Sequence, residues 1–297
     1  MTDLPASVEI RDCCPRDGLQ PLAPVPVDAR IALVEDLFAA GLADVEVGAF
    51  VSPKAVPAMA GASEVVAGVA SAPDRRRWAL VPNERGAQLA LAAGIEHLTV
   101  TVSASPEYSL RNVGMSVDES IAQVGLVREL ALDHVVDAVV SCAFGSPFGD
   151  HVTAARVADV CGRLSAIGID RLTLADTTGV ATPRRIDVVL SEVADEVGLH
   201  LHDTRGTALA NAYAALQHGV RRFDTSLGGL GGSPFAPGAG GNLATEDLVL
   251  LLDDLGVSTG VDLAALLATG ERLAALIGRM LPSRVAAAGA LPAFEEG

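Results

Sequence analysis

The chain has 297 residues, of which 50% are hydrophobic and only 3% aromatic, so we expect a large core built from Ala, Val, Leu and Ile. The formal net charge of −16 argues against nucleic acid or an anionic membrane as a partner, because both bind basic protein surfaces. The N-terminus lacks the features of a signal peptide, and no apolar run reaches the roughly 18 residues of a membrane span. The four cysteines fit neither a zinc pattern nor a disulfide framework, so a cytoplasmic protein is expected.

Short β-branched segments alternate with longer Ala- and Leu-rich segments of helical period, a pattern typical of β–α units. The predicted strands begin near residues 8, 44, 78, 97, 135, 171, 198 and 222. Helices are predicted from residues 28, 60, 84, 117, 153, 183 and 206, and two more follow from residues 244 and 262. Eight strands with helical crossovers predict an α/β protein: a closed (β/α)8 TIM barrel with additional C-terminal helices, forming one domain over residues 1–297.

Polar residues interrupt several of the otherwise apolar strands near their C-terminal ends. Asp17 follows the first predicted strand, Glu46 lies in the second and Asp176 ends the sixth. The glycine-rich segment 228-GGLGGSPFAPGAGGN follows the eighth. Because catalytic groups of such barrels lie at the C-terminal ends of the strands, these positions predict an active site at the barrel mouth.

The segment 198-GLHLHDTRG places two histidines in an apolar strand. Residues i and i+2 of a strand share a face, so His200 and His202 point to the same side. They are either paired core histidines or metal ligands. With Asp17 and Asn242 they would form a nitrogen and oxygen ligand set, which suits Mn²⁺ or Mg²⁺ and is also compatible with Zn²⁺ or Co²⁺. The alternative for Asn242 is that it caps the helix that begins at residue 244.

Five motifs resemble, in the same order along the chain, those of 3-hydroxy-3-methylglutaryl-CoA (HMG-CoA) lyase. They are 15-PRDGLQ, 50-FVSPKAVPAM, 175-ADTTGVATP, 200-HLHDTRGTALAN and 240-GGNLATEDLV. The resemblance implies a Mg²⁺- or Mn²⁺-dependent cleavage of a carbon–carbon bond in an acyl-CoA, which releases a keto acid and a shorter acyl-CoA. A homodimer is expected, and the C-terminal helices either cover the barrel or form the dimer contact.

The resemblance implies that Asp17, His200, His202 and Asn242 bind the metal. It also implies that Arg16 stabilises the thioester enolate, since a fixed guanidinium is a good partner for developing oxyanion charge.

Further roles follow from the same resemblance. Glu46 and Asp176 would orient the ligands and relay protons, and His200 could also transfer a proton near the substrate hydroxyl. Four polar residues are predicted to contact the substrate: Gln20, Ser52, Lys54 and Thr204.

The chain departs from the family pattern at the residue expected to protonate the enolate carbon. The family has a cysteine there, whereas 231-GGSPF has Ser233. A thiol with a pKa near ~8.5 can release a proton around neutrality, but a serine hydroxyl can act only by hydrogen bonding or by holding a water. Ser146 likewise replaces a cysteine often found in the family, and 20-QPLAP lacks the usual polar and basic residues.

Three hypotheses follow. The first is a lyase of this family that uses a different proton donor on HMG-CoA or a related acyl-CoA. The second is a synthase-like or aldolase-like enzyme that uses the same metal and enolate chemistry. The third is a non-catalytic, metal-binding descendant. The four retained ligands favour catalysis, and the absence of room for a regulatory C-terminal domain favours the lyase.

Overall fold

The computed structural model describes residues 4–232, 241–289 and 291. Its eight parallel strands close into a barrel in sequence order, with the eighth paired to the first. They are β1 (Glu9–Asp12), β2 (Asp44–Ala49), β3 (Arg76–Leu80), β4 (His97–Ser103), β5 (Val135–Ser141), β6 (Arg171–Ala175), β7 (Val197–His200) and β8 (Arg222–Thr225). The predicted TIM barrel is confirmed, whereas its extent as one domain over residues 1–297 stays a prediction.

Helices surround the barrel and continue beyond its last strand. They are α1 (Val27–Ala39), α2 (Ala62–Gly68), α3 (Glu84–Ala92), α4 (Pro106–Val113), α5 (Val117–Leu130), α6 (Ala154–Ala166), α7 (Pro183–Glu192), α8 (Ala208–Gln217), α9 (Thr245–Asp254), α10 (Leu263–Ile277) and α11 (Arg284–Ala288). Short 3₁₀ turns lie at Pro57–Met59 and Leu227–Gly229, and a π-helical turn lies at Cys14–Gly18. Within the described ranges, no helix combines the length and apolarity needed to cross a bilayer.

Helix α4 was not among the predicted helices, although its start carries a recognisable signal. The Ser105 hydroxyl accepts a hydrogen bond from the Tyr108 amide, and Pro106 occupies the first helical position. Both features favour a helix start. The helix has only eight residues, which is short for detection by apolar periodicity.

The two faces of the barrel strands differ in chemistry. Outward-facing residues such as Leu199 in β7 are fully buried against the surrounding helices. The interior carries charge instead: Arg11 of β1 forms ion pairs with Asp224 of β8 and Asp137 of β5, both at 2.8 Å. These groups are each less than 10% exposed, so pairing is required to offset the cost of their desolvation.

Candidate active site

The π-helical turn after β1 carries Arg16 and Asp17, and buried hydrogen bonds fix its start. The Asp12 carboxylate accepts from the Cys14 amide at 2.7 Å and from the Thr245 hydroxyl at 2.6 Å. Burial raises the pKa of Asp12 to about 6, against the lowering effect of these bonds. The turn is therefore tied both to the end of β1 and to the start of α9.

Three predicted ligands converge at the mouth of the barrel. One candidate ligand atom from each of Asp17, His200 and His202 lies within 4.8 Å of the other two. The two imidazole ring centroids are 5.2 Å apart. His200 ends β7, and His202 lies two residues further on, where it forms an isolated antiparallel bridge with Asn242. The expectation that both rings share one side of the strand agrees with this arrangement.

Asn242 joins this group and does not cap a helix. Its amide nitrogen donates to Asp17 Oδ2 at 2.7 Å and to the Leu230 carbonyl at 2.8 Å. Helix α9 has Ala244 at its N-cap, without a side-chain capping bond. The capping alternative is therefore wrong, because the backbone places the helix start two residues beyond Asn242.

The donor atoms of this cluster fit a divalent cation. The His202 Nδ1–H donates to the Asp176 carbonyl at 2.7 Å, which leaves Nε2 as the unprotonated nitrogen. His202 Nε2 and Asn242 Oδ1 are both buried and have no hydrogen-bond partner among the described residues. Unsatisfied buried acceptors are costly, and a cation bound by both would remove that cost.

The electrostatics of the cluster keep two of its candidate ligands, Asp17 and His202, in the forms that bind cations. Burial alone would raise the pKa of Asp17, but the charge of Arg16 foremost, together with His200 and the hydrogen bond from Asn242, holds it below its usual value. Burial lowers the pKa of His202 to about 4, and the neighbouring His200 acts in the same direction. An ionised carboxylate and a neutral imidazole are the states that ligate metals.

A second set of candidate ligands, Cys13, His200 and Asp224, shares one histidine with the first. Two observations favour the first set. Arg11 already binds both carboxylate oxygens of Asp224 at 2.8 Å. Burial raises the pKa of the Cys13 thiol well above its usual value, and the neighbouring Asp224 and Glu46 add to this, whereas metals bind the thiolate.

Arg16 is held between two carboxylates at the edge of this cluster. Its Nε donates to Glu46 Oε2 and its Nη1 donates to Asp17 Oδ1, both at 2.5 Å. Glu46 lies where the β2–β3 pairing shifts register, and such bulges re-aim side chains next to active sites. Glu46 therefore contacts Arg16 rather than a candidate metal ligand, its predicted role in orienting the ligands and relaying protons stays a prediction, and its second oxygen, Oε1, is buried without a described partner.

Asp176 supports His202 through its backbone rather than its carboxylate. The carboxylate Oδ1 accepts from the amides of Val180 and Ala181, at 2.8 and 3.0 Å, while Oδ2 is buried without a partner in the described ranges. Burial raises the pKa of Asp176 to about 6. A carboxylate with a pKa close to neutrality suits proton exchange.

A cavity of about 320 Å³ lies over the cluster at the barrel mouth. Arg16, Asp17, Gln20, His200 and His202 are among the residues that line it. Apolar residues line it as well, among them Val51 and Val56 of the loop after β2, Leu80 of β3 and Val139 of β5. The cavity thus combines ionic and apolar lining residues.

The other predicted substrate contacts lie elsewhere. Ser52 and Lys54 are exposed in the loop after β2, and Thr204 is half-buried against Gly179, so none of the three lines the cavity. The sequence interpretation missed several polar residues that do line it: Thr101, Asn112, Ser120, Gln123, Ser141 and Thr177. Ser141 follows the inward alternation of β5 after Val139, a signal that could have identified it.

Ser233 lies outside the described residues, so its place in the site stays a prediction. All four cysteines belong to the described part of the chain, where they are buried and do not line the cavity. Burial raises the pKa of Cys142 to about 12, and this residue does not line the cavity. Ser146 hydrogen-bonds with Ser105 at 3.0 Å, also away from the cavity lining.

Comparison with known sequences assigns the chain to a family. A model of the family described as HMGL-like matches residues 7–273. The chain is 44% identical to a 3-hydroxy-3-isohexenylglutaryl-CoA/hydroxymethylglutaryl-CoA lyase of Pseudomonas aeruginosa, over 96% of this chain and 98% of that protein. It is 41% identical to an (R)-citramalyl-CoA lyase of Chloroflexus aurantiacus, over 95% of each.

Solved structures agree in fold. A hydroxymethylglutaryl-CoA lyase from Pseudomonas aeruginosa superposes with a TM-score of 0.92 at 43% identity, covering 96% of this chain and 98% of the other. An HMG-CoA lyase from Acinetobacter baumannii, solved with coenzyme A and 3-methylmalate, gives the same score at 38% identity, covering 100% and 99%. The chain therefore belongs to the HMGL-like family and is a carbon–carbon lyase.

Proposed function

We propose that this lyase cleaves a 3-hydroxyacyl-CoA resembling HMG-CoA, in a reaction that depends on a divalent metal, into a keto acid and a shorter acyl-CoA. The observation that supports this most strongly is the convergence of Asp17, His200, His202 and Asn242 beside Arg16. Mg²⁺ or Mn²⁺ suits the thiolate-free ligand set best.

The substrate class follows from what the relatives have in common. The named substrates of the two sequence relatives are CoA thioesters with a tertiary alcohol at C3, and they differ in the other groups at that carbon. The Acinetobacter structure contains coenzyme A together with a hydroxy acid. The ionic residues that line the cavity suit the C3 hydroxyl and the thioester carbonyl, and its apolar lining residues suit a hydrocarbon group at C3.

When bound, the metal would act as a Lewis acid on the substrate oxygens. We assign a proton-relay role to Asp176, which does not itself line the cavity but lies between the cavity-lining residues Ala175 and Thr177 and has a buried carboxylate oxygen without a described partner. His200 is better suited to be a ligand than a base, because a ring nitrogen that binds a cation cannot accept a proton.

The bond changes then balance without an added reactant. A base takes the C3 hydroxyl proton, C3 becomes the carbonyl of the keto acid, and the electrons of the C2–C3 bond form the thioester enolate. Arg16 lines the cavity and is fixed by Glu46 and Asp17, so it can stabilise the negative enolate oxygen without reorganising. Protonation of C2 completes the acyl-CoA product, and Ser233 is the candidate to hold the donor or a water for this step.

The proposal is tested with metal-stripped protein, to which Mn²⁺ is added, on HMG-CoA and citramalyl-CoA. Wild type and Ser233→Cys are compared for release of acetoacetate and pyruvate. We expect Mn²⁺-dependent release of keto acid from at least one substrate by the wild type. A gain of activity only in Ser233→Cys would show that the serine retunes the protonation step. If Mn²⁺ binds but neither protein cleaves either substrate, the proposed substrate class is wrong.

A further inference from the structure

The floor of the active site contains a buried ion pair that the reaction scheme does not use. Arg11 Nε donates to Asp224 Oδ1 and its Nη2 donates to Asp224 Oδ2, both at 2.8 Å. The guanidinium also stacks over the Trp78 ring, with its carbon 4.7 Å from the ring centroid. Asp224 is thus fixed through both oxygens, in a bidentate geometry that adds directional constraint to charge attraction.

The same carboxylate contacts one of the two metal-ligand histidines. Asp224 Oδ2 lies 3.3 Å from His200 Nδ1. The strand register brings these residues together: His200 of β7 pairs with Asp224 of β8, and Asp224 pairs with Arg11 of β1. Three neighbouring strands therefore place an arginine, a carboxylate and an imidazole side by side on the inner face.

The other histidine is oriented in a different way. His202 Nδ1 donates to the backbone carbonyl of Asp176, a group that no substitution removes. The orientation of His200 depends instead on a replaceable side chain. A histidine ligand presents one ring nitrogen to the metal when a hydrogen bond holds the other nitrogen in place. For His202 this support is a backbone carbonyl, and for His200 it is the Asp224 carboxylate.

We propose that Asp224, held by Arg11, is a positioning residue that presents Nε2 of His200 to the divalent metal. This inference rests on the metal site of the proposed function. Asp224 does not line the cavity over the site, and the residue of the proposed metal site that it contacts is His200. Removing such a support from a histidine ligand typically weakens metal binding by about 10- to 100-fold.

Asp137 supplies a matched control. Its carboxylate binds the same Arg11 Nη2 at the same distance, 2.8 Å, and is as deeply buried, but its other contact is the Thr173 hydroxyl rather than a histidine. Asp137→Asn therefore removes one charge partner of Arg11, as Asp224→Asn does, and leaves His200 in place. Asp224→Glu retains a charge facing Arg11 while displacing the carboxylate, and it is used if the asparagine variant does not fold.

The experiment measures Mn²⁺ affinity directly, by electron paramagnetic resonance of free Mn²⁺, with circular dichroism as the check of folding. We expect Asp224→Asn or Asp224→Glu to weaken Mn²⁺ binding at least tenfold and Asp137→Asn to change it less than threefold. If the Asp224 and Asp137 variants lose Mn²⁺ affinity equally, Arg11 and its partners act only on the stability of the fold, and the inference is wrong. Unchanged Mn²⁺ affinity in the Asp224 variants would also overturn it. Failure of the wild type to bind Mn²⁺ would instead overturn the metal site itself, and with it the inference.

Discussion

Gly231 lies against two candidate metal ligands, and replacing it with alanine tests the geometry of the site. Its φ is +117°, and a Cβ at this position would lie 2.3 Å from Asn242 Nδ2 and 2.9 Å from Asp17 Oδ2. Ordinary van der Waals contact begins at 3.4 Å, so the Asn242 amide must move by about 1 Å. A misplacement of that size in a catalytic constellation costs about 100-fold in rate.

The assay separates this displacement from backbone strain. Gly256→Ala serves as the control, because its φ is also positive, +71°, and no described heavy atom lies within 4 Å of the added Cβ. Gly256→Ala should lose about 1–2 kcal/mol of unfolding free energy from left-handed strain, and Gly231→Ala should lose at least as much, since its φ lies further from that region and its Cβ clashes with Asn242. Only Gly231→Ala should lose about 100-fold in kcat/KM together with Mn²⁺ affinity. Wild-type kcat/KM in Gly231→Ala would refute the proposed ligand geometry.

Three other predictions concern stability, the cavity and the metal. Burial raises the pKa of Glu246 from 4.5 to about 7. Between pH 4.5 and pH 7 the folded state therefore keeps a proton that the unfolded state has released, and wild-type stability should fall as pH rises through this range. Glu246→Gln should remove this pH dependence of stability and raise the unfolding free energy, measured with urea at pH 8, by about 3 kcal/mol. If the unfolding free energies of the two proteins change with pH in parallel, the pH dependence does not come from Glu246. Val139→Trp should fill part of the cavity that Val139 lines and lower kcat/KM at least tenfold while Mn²⁺ affinity stays unchanged, and equal activity would place the substrate elsewhere. Mn²⁺ at 100 times its Kd should stabilise the stripped protein by about 2.7 kcal/mol, and this gain in thermal unfolding should be lost in His202→Ala.

The barrel was predictable because strand and helix periods alternate in the sequence with few interruptions. The candidate ligands were predictable for a related reason: an i, i+2 pair in a strand must share a face, whatever the rest of the fold does. That argument placed His200 and His202 together, and the structure brings Asp17 to the same place. Their roles as ligands stay a proposal, as do the choice of ion, the homodimer and the cytoplasmic location.

Other features depended on registers and dihedral angles that the sequence does not display. Asn242 could have been a cap or a ligand until the backbone placed the N-cap at Ala244. Arg11 and Asp224 are 213 positions apart and meet only because β1 closes the barrel against β8. The exposure of Lys54 depends on the path of the irregular loop after β2, and neither helical nor strand periodicity predicts the path of such a loop.

The most direct test of the metal-dependent lyase is a parallel titration of binding and turnover. Metal-stripped protein is titrated with Mn²⁺, and bound Mn²⁺ and keto acid release from HMG-CoA or citramalyl-CoA are measured on the same samples. We predict that the rate rises in proportion to occupancy of one site per chain and that Asp17→Asn weakens both together. Full turnover without a divalent ion, or turnover that does not follow occupancy, would contradict the account.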